Sequence, residues 1–199
     1  MLRQVSLVGA FVAALACDLA AQSTGTPVFL APYRSSTRYE FGASLSDPGA
    51  GQLAIEGFYR SGQRKYDFGF RAGLADQGNS TAFLAGADFR LRVIDQSQSF
   101  PLDGAFTVGV GGQFGNGVSQ AYIPFGITLG RRVDLEDSNV SFVPYLHPVL
   151  GPTFGDRDSE LLFALGVGVD VSFNKKFEFR VSGGLGDFDG VAISFAILR

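Results

Sequence analysis

Residues 161–173 read LLFALGVGVDVSF. Leu161, Phe163, Leu165, Val167, Val169, Val171 and Phe173 take every second place, with Leu162, Ala164, Gly166, Gly168, Asp170 and Ser172 between them. A β-strand turns successive side chains to opposite faces, so this stretch carries one large apolar face and one small or polar face. It is also long. Strands of soluble domains average about five or six residues, whereas a tilted strand needs roughly 9–11 to cross a bilayer.

The alternation recurs in both directions along the chain. Toward the C-terminus, Phe177, Phe179, Val181 and Leu185 oppose Glu178, Arg180, Ser182 and Gly184, and Val191, Ile193, Phe195 and Ile197 oppose Ala192, Ser194 and Ala196. Toward the N-terminus, Phe142 and Leu146 oppose Tyr145 and His147, in a stretch weakened by Pro144 and Pro148. Ile123 to Gly130, Phe106 to Gly111, Phe83 to Val93, Tyr66 to Leu74, Leu53 to Arg60 and Arg38 to Leu45 repeat the pattern. Turn formers separate these segments at Asp47-Pro48-Gly49, Ser61-Gly62, Gln77-Gly78-Asn79, Asn116-Gly117, Asn174-Lys175-Lys176 and Asp187 to Gly190. The pattern predicts an all-β chain: a closed antiparallel up-and-down transmembrane β-barrel of ten strands, with eight as the alternative. An even count brings both ends of the barrel to one side.

Alternation alone does not separate a membrane barrel from a soluble one; the second face decides. On a water-facing sheet it would be rich in Lys, Thr and Glu. Here it holds Gly, Ala and Ser with Arg and carboxylates among them, which suits a narrow polar lumen. The first face is almost wholly Phe, Leu, Ile, Val and Ala, a band that would aggregate in water. Tyr39, Tyr59 and Tyr66 fall at one edge with Phe142, Phe173 and Phe177, as an aromatic girdle would.

Around this core the chain divides into residues 1–21, 22–37 and 38–199. Arg3, an apolar run from Val5 to Ala16, and small residues at Ala20 and Ala21 read as a signal peptide cleaved after Ala21. Cleavage after Ala16 is the alternative, and Ala14-Leu15-Ala16-Cys17 loosely resembles a lipoprotein motif that would place a lipid on Cys17. Residues 22–37 are read as an N-terminal periplasmic segment; they contain an apolar patch, Val28 to Tyr33, that follows no alternation. Residues 38–199 form the barrel. The net charge of −3 argues against a nucleic-acid partner.

With these residues assembled, the chain resembles small Gram-negative outer-membrane β-barrel proteins. The resemblance covers residues 38–199 plus the signal peptide, and rests on pattern rather than on a catalytic motif. It implies the fold and an integral outer-membrane location; outer-membrane lipid, lipopolysaccharide and the barrel-insertion machinery are the expected partners, with no cofactor and a monomer expected. The chain departs from that class in ending Phe195-Ala196-Ile197-Leu198-Arg199, where an aromatic residue is usual.

Chemistry in this sequence is sparse. No G-x-S-x-G, P-loop, H-E-x-x-H or complete dinucleotide fingerprint occurs, and the chain is read as no enzyme. His147 is the sole histidine. Omptin proteases are ten-stranded barrels too, and likeness to them would imply a His–Asp pair near the outer rim. Of that arrangement only His147 with Asp156 and Asp158 in the next loop is present, and a lumen histidine is the expected role. Asp156, Asp158, Glu160, Asp187 and Asp189 form an oxygen-only set of the type Ca²⁺ or Mg²⁺ takes, and are equally ordinary turn formers.

The sharpest constellation is the inward charge. Arg38, Arg60, Arg71, Arg90, Arg92, Arg132 and Arg180 share a face with Glu40, Glu56, Asp67, Asp88, Asp170 and Glu178. Seven cations against six anions predict a nearly balanced, salt-bridged lumen that is largely occluded. That favours a structural or interaction role. A narrow porin-like channel is the second reading, and a surface hydrolase a distant third.

Overall fold

The computed structural model describes residues 29–34, 38–47, 53–76, 78, 80–115, 118–155 and 159–199. The signal-peptide assignment, Cys17, Asp156 and Asp158 lie outside the described residues. The strands are β1 (Tyr39–Asp47), β2 (Ala54–Gly62), β3 (Tyr66–Asp76), β4 (Thr81–Ile94), β5 (Asp103–Gly115), β6 (Val118–Tyr122), β7 (Phe125–Gly130), β8 (Val133–Asp134), β9 (Val140–Gly155), β10 (Leu161–Phe173), β11 (Phe177–Gly186) and β12 (Gly190–Leu198). No helix occurs among the described residues.

Twelve strands make ten staves. β6, β7 and β8 keep a single register against β9, with Gln120 opposite Gly155, Phe125 opposite Leu150, Leu129 opposite Leu146 and Val133 opposite Phe142. They are one stave, interrupted where Pro124 cannot donate to the ladder. Neighbouring staves are antiparallel throughout, and β1 pairs β12 from Glu40–Leu198 to Asp47–Val191, which closes the cylinder. The ten-strand reading therefore holds. Arg199 belongs to the closure through its backbone: Tyr39 N–H donates to its carbonyl at 3.2 Å, and its own N–H donates to the Tyr39 carbonyl at 2.9 Å. The end carrying Tyr39 and Leu198 is the terminal end below; the other is the distal end.

The expected weakness of residues 140–150 needs correction. β9 is the longest strand, at 16 residues, and its ladder to β10 runs unbroken from Pro152–Leu161 to Val140–Phe173. In an antiparallel strand a residue's N–H and C=O point to the same neighbour. The carbonyls of Pro144 and Pro152 accept from Arg131 and Ile123, so these proline backbones face the interrupted stave. Pro148 shares their parity. Each proline thus removes a donor on that one seam and none on the β10 side.

The two faces of the wall invert the arrangement of a water-soluble domain. Phe41, Ile55, Phe68, Phe70, Phe163 and Phe195 are exposed on the outside, Phe70 at 57%. Glu40, Glu56, Arg60, Asp67, Arg90 and Glu178 are buried inside, Glu40 at 0%.

Candidate functional site in the barrel lumen

Alternation turns every second residue inward, and strand pairing sets the inward charges side by side. Three directly opposed cross-strand pairs result: Glu40 with Arg60, Asp67 with Arg90, and Asp170 with Arg180. Arg60 is the hub. Its guanidinium reaches Asp67 on β3, Asp88 on β4 at 2.5 Å and Glu40 on β1 at 3.6 Å. Arg90 holds the other oxygen of Asp67 at 2.9 Å. Arg180 spans β12 to reach Glu40 at 2.9 Å and also holds Glu178 at 2.5 Å, while Asp170 lies at 3.7 Å. Ser172 donates to the second oxygen of Glu178 at 2.6 Å.

The network is narrower than the sequence suggested. Arg38 is exposed at the terminal rim. Arg132 pairs with exposed Asp134 at 2.8 Å. Arg92 is drawn to Asp95 at 2.8 Å and Asp103 at 2.5 Å, two partners the alternation did not single out. Arg71 and Glu56 form a separate, loose pair at 3.8 Å nearer the distal end. The buried network that remains sets Arg60, Arg90 and Arg180 against Glu40, Asp67, Asp88, Asp170 and Glu178. Balance over the whole inward face is therefore not balance at its centre, because four of the seven arginines sit elsewhere.

The larger correction concerns residues 22–37, read as a periplasmic segment. Residues 29–34 lie inside the barrel, with Phe29, Leu30, Ala31 and Pro32 buried. An extended chain in a closed cylinder must satisfy its backbone there, and the wall does so. His147 Nδ1 accepts from Leu30 N–H at 3.1 Å, and the Thr128 hydroxyl donates to the Leu30 carbonyl at 2.5 Å. The Tyr145 hydroxyl donates to the Phe29 carbonyl at 3.3 Å, and Arg90 donates to the Ala31 carbonyl. The Phe29 ring occupies a slot in the wall where Gly166 and Gly184 stand; a methyl group at either position would overlap it. At the terminal rim the Arg34 guanidinium donates to the carbonyls of Arg38, Gly62 and Arg60 at 3.1, 3.1 and 3.4 Å. Arg92 lies over the Tyr33 ring, 5.2 Å from its centroid. The segment thus runs from the distal half, beside Gly184 and Phe188, down to the rim where β1 begins.

His147 has a structural place in this arrangement. Nδ1 accepts, so the ring hydrogen is on Nε2, which donates to the Thr107 hydroxyl at 2.8 Å. Both nitrogens are occupied, among the described residues no carboxylate bonds the ring, and Asp187 caps the Phe163 N–H at 2.7 Å instead of joining a cluster. Among the described residues no three His, Cys, Asp or Glu side chains come together as a metal site; Glu160, Asp187 and Asp189 stay apart.

The remaining space is small where segment and wall meet. A void of about 40 Å³ adjoins Phe29, Glu40, Glu56 and Arg60, and another of about 20 Å³ adjoins Leu30, Thr107 and His147. A water needs about 10–15 Å³ on the same measure, so the first holds roughly three waters. At the terminal end a vestibule of about 740 Å³ opens, lined by Tyr33, Arg34, Lys65, Arg92 and Arg132 among others.

No family model matches this chain, and no curated protein is similar to it. Solved structures are similar, among them one described as "Bacterial polysaccharide outer membrane secretin", at a TM-score of 0.48 and 12% identity. That match covers 81% of this chain and 65% of the secretin, so the chain spans less than two thirds of that protein's length.

Proposed function

We propose that this chain is an integral outer-membrane β-barrel of a Gram-negative envelope, with a structural or interaction role and a closed lumen. The observation that carries the reading is the inversion of faces. A ring of exposed Phe, Leu, Ile and Val surrounds a wall whose inner side buries ten or more charged and hydroxyl groups. Water would leave that outer band unsolvated, whereas hydrocarbon is its natural solvent, and closure leaves the wall no open sheet edge there. Tyr39, Tyr59, Phe173 and Phe177 are exposed together at the terminal end, consistent with an interfacial girdle there. On this reading the partners are outer-membrane lipid, lipopolysaccharide and the insertion machinery, and the barrel acts as a monomer without catalysis.

Two barriers close the lumen: the ion-paired network and residues 29–34. Among the described residues the voids where segment and wall meet hold only a few waters, which supports the occluded barrel over the narrow channel. Membrane fractionation tests the location. The protein is expected in the outer membrane, with folded and boiled samples migrating differently on a denaturing gel. Recovery as a detergent-free soluble monomer would refute the reading.

A further inference from the structure

Residues 29–34 are held as a peptide ligand is held. Four wall side chains from three staves, Arg90 on β4, Thr128 on β7, and Tyr145 and His147 on β9, meet the segment at main-chain atoms of Phe29, Leu30 and Ala31. Main-chain recognition does not depend on which side chains the occupant carries. Selectivity comes from three features. The slot at Gly166 and Gly184 admits one flat ring. Pro32 is fully buried and brings no N–H that would need a partner. Arg34 ends the segment on three rim carbonyls.

The wall is also preorganised for its occupant. His147 is oriented by Thr107, which leaves Nδ1 aimed at the segment. With the lumen empty, that nitrogen and the Thr128 hydroxyl would lose the chain they bond and need water instead.

We propose that the lumen is a binding site for an extended peptide, filled in cis by residues 29–34. A separate peptide of aromatic–aliphatic–small–proline sequence, with an arginine two places after the proline, competes for it. Displacement of the resident segment then removes one of the two barriers in the lumen. The binding claim goes beyond the membrane assignment and stands whether or not the barrel lies in a bilayer, so it is tested by binding and proteolysis in detergent.

In the first arm, a protease site replaces residues 35–37 of the full chain. The folded protein is cut, and a fluorescent peptide of residues 27–34 is added. Saturable binding is expected, with a Phe29→Ala peptide at least tenfold weaker and a scrambled peptide inactive. Retention of the cut segment through gel filtration also supports the site. A barrel that stays folded and, once freed of the segment, binds all three peptides alike or none of them overturns the proposal. The second arm uses the intact chain, in case cutting unfolds it. Gly166→Leu fills the slot and is expected to raise tryptic cleavage after Arg34 at least tenfold. Unchanged cleavage in a folded Gly166→Leu protein overturns the proposal equally.

Discussion

The two halves of the lumen are closed by different chemistry. Toward the terminal end, guanidiniums and carboxylates on adjoining strands lock across the gap, with Arg60 touching three carboxylates. Toward the distal end, the Phe29 ring packs beside Tyr145 and Phe188 in a slot of glycines. The first closure is built from the wall itself and follows from strand register. The second is supplied by a segment outside the wall, anchored by a few polar side chains that meet its backbone. The terminal half is therefore expected to respond to loss of charge, and the distal half to loss of shape.

Arg60→Ala is the largest break. It leaves Glu40, Asp67 and Asp88 short of their common cation in a buried site. Stability in detergent, measured by denaturant titration, is expected to fall by roughly 3–5 kcal/mol. Adding Asp88→Asn to that change should recover part of the loss, since the two residues share one network. Full additivity of the two changes would mean the network is not coupled. Phe29→Ala tests the other half. A buried Phe truncation costs about 3 kcal/mol at the low end of its range, and it should loosen the distal half while leaving the ion pairs intact. Thr128→Val comes next, at roughly 1–3 kcal/mol, because the Leu30 carbonyl loses its wall donor while side-chain volume is kept. Glu56→Gln should have the smallest effect of these, since the Arg71 pair is long at 3.8 Å and the amide keeps the size of the carboxylate. A large effect there would extend the charged closure into the distal half.

The same contrast explains what was legible in the sequence. Strand parity is a local property, so the inward and outward faces and the ten staves follow from counting residues by two. Three things do not. Whether an inward charge ends at the centre or the rim depends on stagger between strands, which left Arg38 and Arg132 outside the network and brought Asp103 to Arg92. The prolines of β9 were visible, but which neighbour they deprive depends on the direction of each backbone group. The place of residues 29–34 depends on contacts far apart in sequence, such as Leu30 with His147. An apolar patch with no alternation looks like a linker until the glycines at 166 and 184 are seen to leave a slot for its aromatic ring. The sole histidine reads as a lumen residue from its parity; that its two hydrogen bonds make it part of the cradle for that segment does not follow from the sequence.

The claim that both halves are closed is tested most directly by ion current through the purified, refolded protein in a planar bilayer. The intact chain is expected to pass no steady current. Arg90→Ala combined with Phe29→Gly weakens both barriers at once and is expected to produce discrete openings. A large, steady current through the intact protein would contradict the account and make the barrel a channel.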